Sequence, residues 1–201
     1  MADFANKNNA DNVSTTRGVA GGYFLSAAKG VEDIPTKDNI STWKPSDAWE
    51  NQGYVPEDGF TEGVEKGDET QLRDINLDVV DSSSGGATET LTIGLMEQNA
   101  RSLSTQYGHE NVTDEDGVIV VEHDWSKADE TRAYVLLLLL KNGRKWIKFI
   151  PEGKVTALSE FTGNATTAAQ RQVTITYLKG DAHPGCIDIM ESNDTEVVPS
   201  A

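Results

Sequence analysis

The sequence lacks an apolar stretch long enough to cross a membrane, and it has one cysteine among its 201 residues. The longest apolar run, residues 133–140, falls well short of the roughly 20 residues that a membrane-spanning helix needs, so it predicts a buried strand. Cys186 alone excludes an intrachain disulfide and is predicted to pack as a small apolar residue. The first residues lack the basic and apolar segments of a signal peptide.

Basic residues are also scarce. Lys and Arg together number 17 against 33 Asp and Glu, which gives a net charge of −16. Binding to nucleic acid or to an anionic membrane needs a basic face, so neither is expected as a stable partner. The charge is concentrated in residues 51–100, where two basic residues stand against eleven acidic ones, a net of −9.

Motifs for catalysis or metal binding are missing as well. The three histidines, His109, His123 and His183, are far apart and none has metal-ligand spacing with another His or with Cys186. The sequence contains no phosphate-binding glycine loop and no nucleophile motif. It therefore predicts no enzyme activity, no catalytic, metal-binding or cofactor-binding residue, and no cofactor.

The most acidic stretch, residues 51–72, combines carboxylates with glycines and aromatic residues. A catalytic carboxylate pair needs one acid held protonated in an apolar pocket, whereas Glu57 and Asp58 lie in a solvated segment next to Gly59. Pro56 early and Gly59 late suit a turn. The stretch is interpreted as a structural turn, with Tyr54 and Phe60 expected to attach it to the core.

What remains is a pattern of short strands. Residues 72–80 alternate between polar and apolar side chains, and so do residues 88–96, which predicts a long β-hairpin. Its polar face consists of Asp74, Asn76, Asp78, Thr88, Thr90 and Thr92. Its apolar face consists of Ile75, Leu77, Val79, Leu91, Ile93 and Leu95.

Later segments complete a mainly β chain. Residues 96–108 predict the one short helix, which ends at Gly108. Strands are predicted at residues 117–125, 132–140, 145–151, 152–162, 171–180 and 186–192. The Asn-Gly pair between the second and third of these is a strong hairpin signal. The fold class is an antiparallel β-sandwich or barrel-like domain over residues 21–192.

The two ends of the chain and the region before the turn show no periodicity. Residues 1–20 are polar and predict a flexible N-terminal arm, and residues 193–201 predict a flexible tail. Residues 21–53 contain two prolines and many turn-forming residues, which predicts a long extended loop. Loops of this length in compact domains are usually functional.

At this point the ordered set of motifs resembles a known family. The segments "GGYFLSAA", "GYVPEDGFTEG", "TLTIGLMEQNARSL", "RAYVLLLLLKNGRKWIKFIPEGKVTALSEFT" and "VTITYLKG" follow one another as they do in the major tail tube proteins of bacteriophages with long non-contractile tails, especially phages of actinobacterial hosts. The resemblance covers residues 21–189.

The resemblance implies a structural protein of the virion tail that assembles in the host cytoplasm. Such proteins form six-membered rings that stack into a hollow tube, and genome DNA passes through the bore without sequence-specific binding. The expected partners are further copies of the chain and the tape measure, tail terminator and distal tail proteins. The polar hairpin face is then expected to face the lumen. Turn and subunit-contact roles are expected for Tyr23, Trp49, Gly53, Tyr54, Gly59 and Phe60.

Two other functions fit the composition less well. A β-sandwich binding module, for example for carbohydrates, would use the four tryptophans as stacking platforms, namely Trp43, Trp49, Trp125 and Trp146. A hydrolase would use the acidic cluster of residues 51–72. Tube formation by the concentrated protein distinguishes the structural function from both.

Overall fold

The computed structural model describes residues 13–161, 163, 165–166, 168–180 and 182–192. Strands account for 45% of the chain, and one short helix lies among the described residues, so the expected antiparallel, mainly β class is confirmed. Residues 1–12 of the predicted N-terminal arm and the predicted tail of residues 193–201 lie outside the described residues.

The helix α1 spans Ala100–Tyr107, and 3-10 turns lie at His109–Asn111 and Lys141–Gly143. The strands are β1 (Arg17–Gly18), β2 (Phe24–Ala28), β3 (Glu50–Asn51), β4 (Phe60–Lys66), β5 (Glu69–Arg73), β6 (Val79–Ser84), β7 (Ala87–Leu95), β8 (Val112–Glu115), β9 (Val118–Val121), β10 (Thr131–Leu139), β11 (Lys145–Leu158), β12 (Arg171–Tyr177) and β13 (Ile187–Met190).

Nine of these strands form one antiparallel sheet, in which seven follow the order β3-β2-β10-β11-β12-β7-β4. The two others lengthen its middle: β1 pairs with β10 beyond β2, and β13 pairs with the first half of β11 beyond β12. Two small sheets, β5–β6 and β8–β9, stand apart from it. β4 is therefore an edge strand of the large sheet.

Strand β10 is buried on both faces, which explains its unbroken apolar sequence. Because side chains alternate along a strand, Tyr134 and Leu136 enter one core while Val135 and Leu137 enter another. The prediction of a buried strand at this position is confirmed.

The first core lies between the two halves of the sheet. Leu91, Ile93 and Leu95 of β7 are buried there together with Val173 and Ile175 of β12. They pack with residues of β2 and β10 on the far side of β11, so the sheet folds over on itself. The apolar face predicted for residues 88–96 is thus confirmed.

The second core is covered by part of the segment predicted as an extended loop. Trp43 and Trp49 are buried there against Phe149, and the indole Nε1 atoms of Trp43 and Trp49 donate to the carboxylate and the backbone carbonyl of Asp33, respectively. The loop prediction for residues 21–53 is wrong at its start, because β2 is a fully paired strand with Phe24 in the first core. The five-residue segment "FLSAA" is too short to show the alternation that would identify a strand from the sequence.

The hairpin predicted between residues 72–80 and 88–96 is wrong. Residues 74–78 form a turn, because the Asp74 carboxylate accepts hydrogen bonds from the backbone N–H groups of Asn76 and Asp78, each at 2.9 Å, and Leu77 has a left-handed φ of 69°. Ile75 and Leu77 are exposed at that turn rather than packed. β7 pairs instead with β12 and with β4, and β4 lies inside the stretch of residues 51–72 for which the sequence predicts a turn.

Residues 145–151 and 152–162 were predicted as two strands, but a single strand, β11, spans 14 residues. Pro151 lies inside it without breaking it. The ladder with β10 shifts register between Arg132 and Tyr134, beside that proline, so the missing N–H group of Pro151 falls at an irregularity. The strand predicted at residues 117–125 is shorter, and its partner is β8.

The helix confirms its prediction and has clear signals at both ends. The Asn99 side chain accepts from the backbone N–H of Ser102 at 2.9 Å, which caps the first turn. Gly108, with φ of 91°, donates to Ser104 and ends the helix. No helix in the described part of the chain is long and apolar enough to span a membrane.

Candidate assembly surface

The outer face of the large sheet carries rows of threonines. Since Leu91, Ile93 and Leu95 point into the core, their neighbours on β7 point outward. The strand register places Thr61, Thr92 and Thr174 in one row across β4, β7 and β12. The next row consists of Gly63, Thr90, Thr176 and Lys154. We call this surface, completed by Thr88 and Thr156, the threonine face.

Hydroxyl groups on the threonine face bond to one another across strands. The oxygens of Thr92 and Thr174 are 3.0 Å apart, and those of Thr156 and Thr176 are 2.8 Å apart. Lys154, at the end of one row, forms an ion pair with Asp129. The face therefore offers mainly hydroxyl groups, with the carboxylate of Glu65 opposite Thr88 at its margin.

The predicted lumen-facing residues fall into two separate places. Thr88, Thr90 and Thr92 lie on the threonine face, whereas Asp74, Asn76 and Asp78 form the turn between β5 and β6. The Asp74 carboxylate is occupied by hydrogen bonds within that turn. Lumen positions for both groups stay a prediction.

A long two-stranded ribbon continues from the threonine face into solvent. β4 and β7 pair from Phe60 opposite Ile93 to Lys66 opposite Ala87, and β5 and β6 continue in the same register from Glu69 opposite Ser84. Residues 67–68 and 85–86 interrupt the strands, although Gly67 still donates to the carbonyl of Gly86. We call residues 63–88 the projecting ribbon.

The projecting ribbon exposes both charge and apolar surface. All its residues are exposed except the partly buried Asp74. Its large exposed apolar side chains are Val64, Leu72, Ile75, Leu77, Val79 and Val80. An isolated two-stranded ribbon is at best marginally stable in water, and apolar side chains that gather on an exposed surface are typical of interaction sites. The ribbon thus has the properties of an interaction surface.

The turn expected at residues 53–60 is present, but its contacts differ from the prediction. Gly53 and Gly59 both have positive φ, 87° and 71°, and Gly59 donates to the carbonyl of Pro56. Phe60 packs against the first core, as expected. Tyr54 does not, since it is 69% exposed and the core contact comes from Val55 instead.

Tyr23 holds this turn from the side. Its hydroxyl accepts a hydrogen bond from the backbone N–H of Val55 at 2.6 Å. Trp49 lies elsewhere, inside the second core. A role in subunit contacts for these six residues stays a prediction.

The tryptophans do not form a common platform. Trp43 and Trp49 are buried, Trp146 is half-buried with its Nε1 bonded to Asp188, and Trp125 is exposed beside Tyr107. A carbohydrate site built on all four would need stacking faces that this arrangement does not provide.

Titratable groups gather at the end of the helix rather than in the acidic stretch. The His109 ring faces Glu130 with Nδ1 at 2.8 Å and Glu50 with Nε2 at 3.2 Å, and Arg132 bonds to both carboxylates. Hydrogen bonds from His109 and Arg132 outweigh burial and hold the pKa of Glu130 at about 2. With both ring nitrogens engaged, His109 is a structural group. Within the described residues, no three His, Cys, Asp or Glu side chains are arranged to hold a metal ion.

Sequence reasoning missed a second charged cluster, at the root of the projecting ribbon. Lys148 is buried between Glu62 and Asp188. The available signal was its position in β11, where it occupies the same face as the partly buried Trp146 and the buried Ile150.

A family model described as phage tail tube protein matches residues 8–199 of the chain. Among solved structures, the chain is similar to one in the cryo-EM structure of the anti-feeding prophage baseplate, 6-fold symmetrised. The identity is 10% and the TM-score 0.42, with 82% of this chain and 94% of that chain covered. It is also similar to a chain of the anti-feeding prophage tube terminating cap, with 10% identity, a TM-score of 0.38, and 90% and 97% covered. No curated protein matches.

Proposed function

Because the chain belongs to the phage tail tube protein family, as the match over residues 8–199 shows, we propose that it is the major tube protein of a long non-contractile tail. Membership makes it a structural component of a phage tail. Its motifs extend the proposal to phages of actinobacterial hosts. Six copies form a ring, rings stack into a tube, and the tube meets the tape measure, tail terminator and distal tail proteins.

The projecting ribbon and the free edge of β4 support assembly with further copies of the chain. β4 is hydrogen-bonded to β7 on one side, and its other side has backbone groups available for a neighbouring strand. A repeated contact of this kind closes into a ring when the rotation between copies divides a full turn. The exposed apolar side chains of the ribbon would be covered in the same step.

The threonine face carries the proposal that DNA passes through the bore. Duplex DNA has one negative charge per about 1.7 Å of axis, so a basic wall would bind it. Thr88, Thr90 and Thr92 present neutral hydroxyl groups, and the chain as a whole carries −16. A wall of this composition would let DNA slide.

Electron microscopy of the concentrated protein tests the assembly. Hollow tubes are expected; discrete monomers at every concentration and ionic strength would contradict the proposal. Sedimentation of the same samples reports the assembled fraction, which makes it possible to compare variants.

Cysteine labelling then tests the position of the threonine face. Thr90→Cys is made in a Cys186→Ser background, and free protein and tubes are treated with a small maleimide or a large polymer-linked one. A lumen position predicts that both reagents label the free protein, while only the small one labels tubes. Labelling of tubes by the large reagent would place the face outside. Protection from both would place it in a subunit contact.

A further inference from the structure

A buried lysine lies where the projecting ribbon leaves the domain. The side chain of Lys148 is 2% exposed, and its Nζ is 2.9 Å from Glu62 Oε1 and 2.8 Å from Asp188 Oδ1. Tyr177 donates its hydroxyl to Glu62 Oε1 at 2.7 Å, and Trp146 donates Nε1 to Asp188 Oδ1 at 2.8 Å. These five side chains are the Lys148 network.

The network joins four strands that lie far apart in sequence. Glu62 belongs to β4, Lys148 to β11, Tyr177 to β12 and Asp188 to β13. β4 and β13 are not hydrogen-bonded neighbours in the sheet, so the two carboxylates approach one ammonium group from separate edges. The network thereby bridges a gap that the backbone ladders leave open.

Glu62 is the last point at which β4 is held by a side chain. Beyond it, the side chains of Glu65 and Lys66 form no hydrogen bond or ion pair within the described part of the chain, and Val64 is 59% exposed. The ladder to β7 continues, but β7 is half-buried at Thr90 and Glu89 and exposed at Thr88 and Ala87. The strand pair can therefore shift and fray from its base outward unless something fixes that base.

A buried ion pair contributes little to the free energy of folding, but it fixes the relative positions of its side chains. Removing an ammonium from water costs free energy that its partners only partly return, and apolar replacements are often as stable. Two carboxylates at fixed angles nevertheless define where the charge sits. Burial alone would lower the pKa of Lys148, but the hydrogen bonds with Asp188 and Glu62 outweigh it and raise the pKa. The lysine thus remains charged.

We propose that Lys148 sets the direction in which the projecting ribbon leaves the domain, by holding Glu62 at the base of β4. The role is one of orientation and does not depend on the number of subunits in a ring. It applies to the free protein as well as to any assembly. Asp188 has a different part, since it holds Lys148 from the other side and is not connected to the ribbon.

Hydrogen exchange of the free protein tests the proposal with Lys148→Met, which keeps the length of the side chain and removes its charge. The substitution removes the contacts of Lys148 with both Glu62 and Asp188, and only the contact with Glu62 bears on the ribbon. Losing that one charge-assisted hydrogen bond should raise the equilibrium constant for local opening by about tenfold. Amides of β4 and of the adjoining half of β7 are expected to exchange about tenfold faster, with those of β10 unchanged. Lys154→Met, on the same strand but paired with Asp129, is the matched control and leaves the ribbon unaffected.

A second pair of variants separates orientation from general destabilisation. Glu62→Leu and Asp188→Leu each remove one carboxylate from Lys148. The proposal requires that Glu62→Leu accelerates exchange in the ribbon, while Asp188→Leu acts on β13. Equal acceleration in both variants, or an unchanged ribbon in folded Lys148→Met, would overturn it. Should Lys148→Met fail to fold, the carboxylate pair decides the question alone.

Discussion

Thr92 and Thr174 lie directly opposite each other on β7 and β12, and their hydroxyl oxygens are 3.0 Å apart. Each is followed by a residue whose side chain is buried in the first core, Ile93 and Ile175. The outward positions can therefore change without altering the packing beneath them. This separation makes the chemistry of the threonine face open to direct testing.

Lysines on the threonine face should slow DNA passage without preventing assembly. Thr88→Lys with Thr90→Lys adds two positive charges per chain, and each phosphate contact strengthens DNA binding in a salt-dependent way. Tubes should form as in the wild type, while DNA release from phage carrying the variant should be slower and should recover as salt is raised. The neutral pair Thr88→Gln with Thr90→Gln is the control. Release at the wild-type rate would show that the charge of this face is irrelevant.

Trp49→Ala should destabilise the fold, whereas Tyr54→Ala should not. Trp49 packs against Phe149 and donates to Asp33, so truncation should cost about 3–5 kcal/mol of the free energy of unfolding. Tyr54 is 69% exposed, and its loss should cost about 0.5 kcal/mol or less. Urea denaturation of the free protein measures both. A larger loss for Tyr54→Ala would restore the core contact expected from the sequence.

Gly53→Ala should be more harmful than Gly59→Ala. Both glycines have positive φ, which costs an L-residue about 1–2 kcal/mol. At Gly53 an added Cβ would also lie 2.3 Å from Cδ of Glu97, whose carboxylate accepts from the backbone N–H of Tyr54. At Gly59 nothing lies within 4 Å. Equal losses in denaturation experiments would mean that Glu97 moves aside freely.

Stability should depend on pH through His109. Burial lowers its pKa, but bonds to Glu130 and Glu50 outweigh this, so the pKa is raised above 6.5. The stabilisation is therefore complete below about pH 6.5 and is lost as pH rises through the higher pKa of the folded state. Urea denaturation between about pH 6 and 8.5 should show a decline in the wild type that His109→Asn lacks. Parallel curves would contradict this.

Glu130, in the same cluster, makes stability depend on pH in the opposite direction. The pKa of Glu130 is lowered from 4.5 to about 2, so its contribution is complete above about pH 4.5 and is lost as pH falls toward 2. The free energy of unfolding of Glu130→Gln should therefore lie below that of the wild type by a constant amount above about pH 4.5. The difference between the two should shrink as the pH falls toward 2. A constant difference across that range would assign the effect of Glu130 to packing.

The sequence predicted those elements whose partners are implied by their own pattern. β10 has an apolar run that only a strand buried on both faces explains, and Asn99 and Gly108 mark both ends of the helix. The alternation of threonine and apolar residues in β7 predicts the strand correctly, although it does not identify the strands with which β7 pairs. In each case the signal is local.

The missed elements depend on distant contacts. Glu62 of β4 points inward, and a charged residue at an inward position does not suggest a strand from the sequence alone. Its partner Lys148, which supplies the opposite charge, lies on a strand far along the chain. Residues 74–78 alternate between polar and apolar side chains and so predict a strand. They form a turn because the Asp74 carboxylate accepts hydrogen bonds from the backbone N–H groups of Asn76 and Asp78. Pro151 suggested a break that a bulge in the opposing ladder removes.

Strand β11 is bonded along one edge to β10 and along the other to β13 and then β12. A force pulling β11 lengthwise past these neighbours loads all of these backbone bonds in parallel, so they must break together rather than one after another. A force that peels the edge strand β4 away breaks its hydrogen bonds to β7 one at a time. The domain is thus mechanically anisotropic, stiff along its longest strand and yielding at its rim.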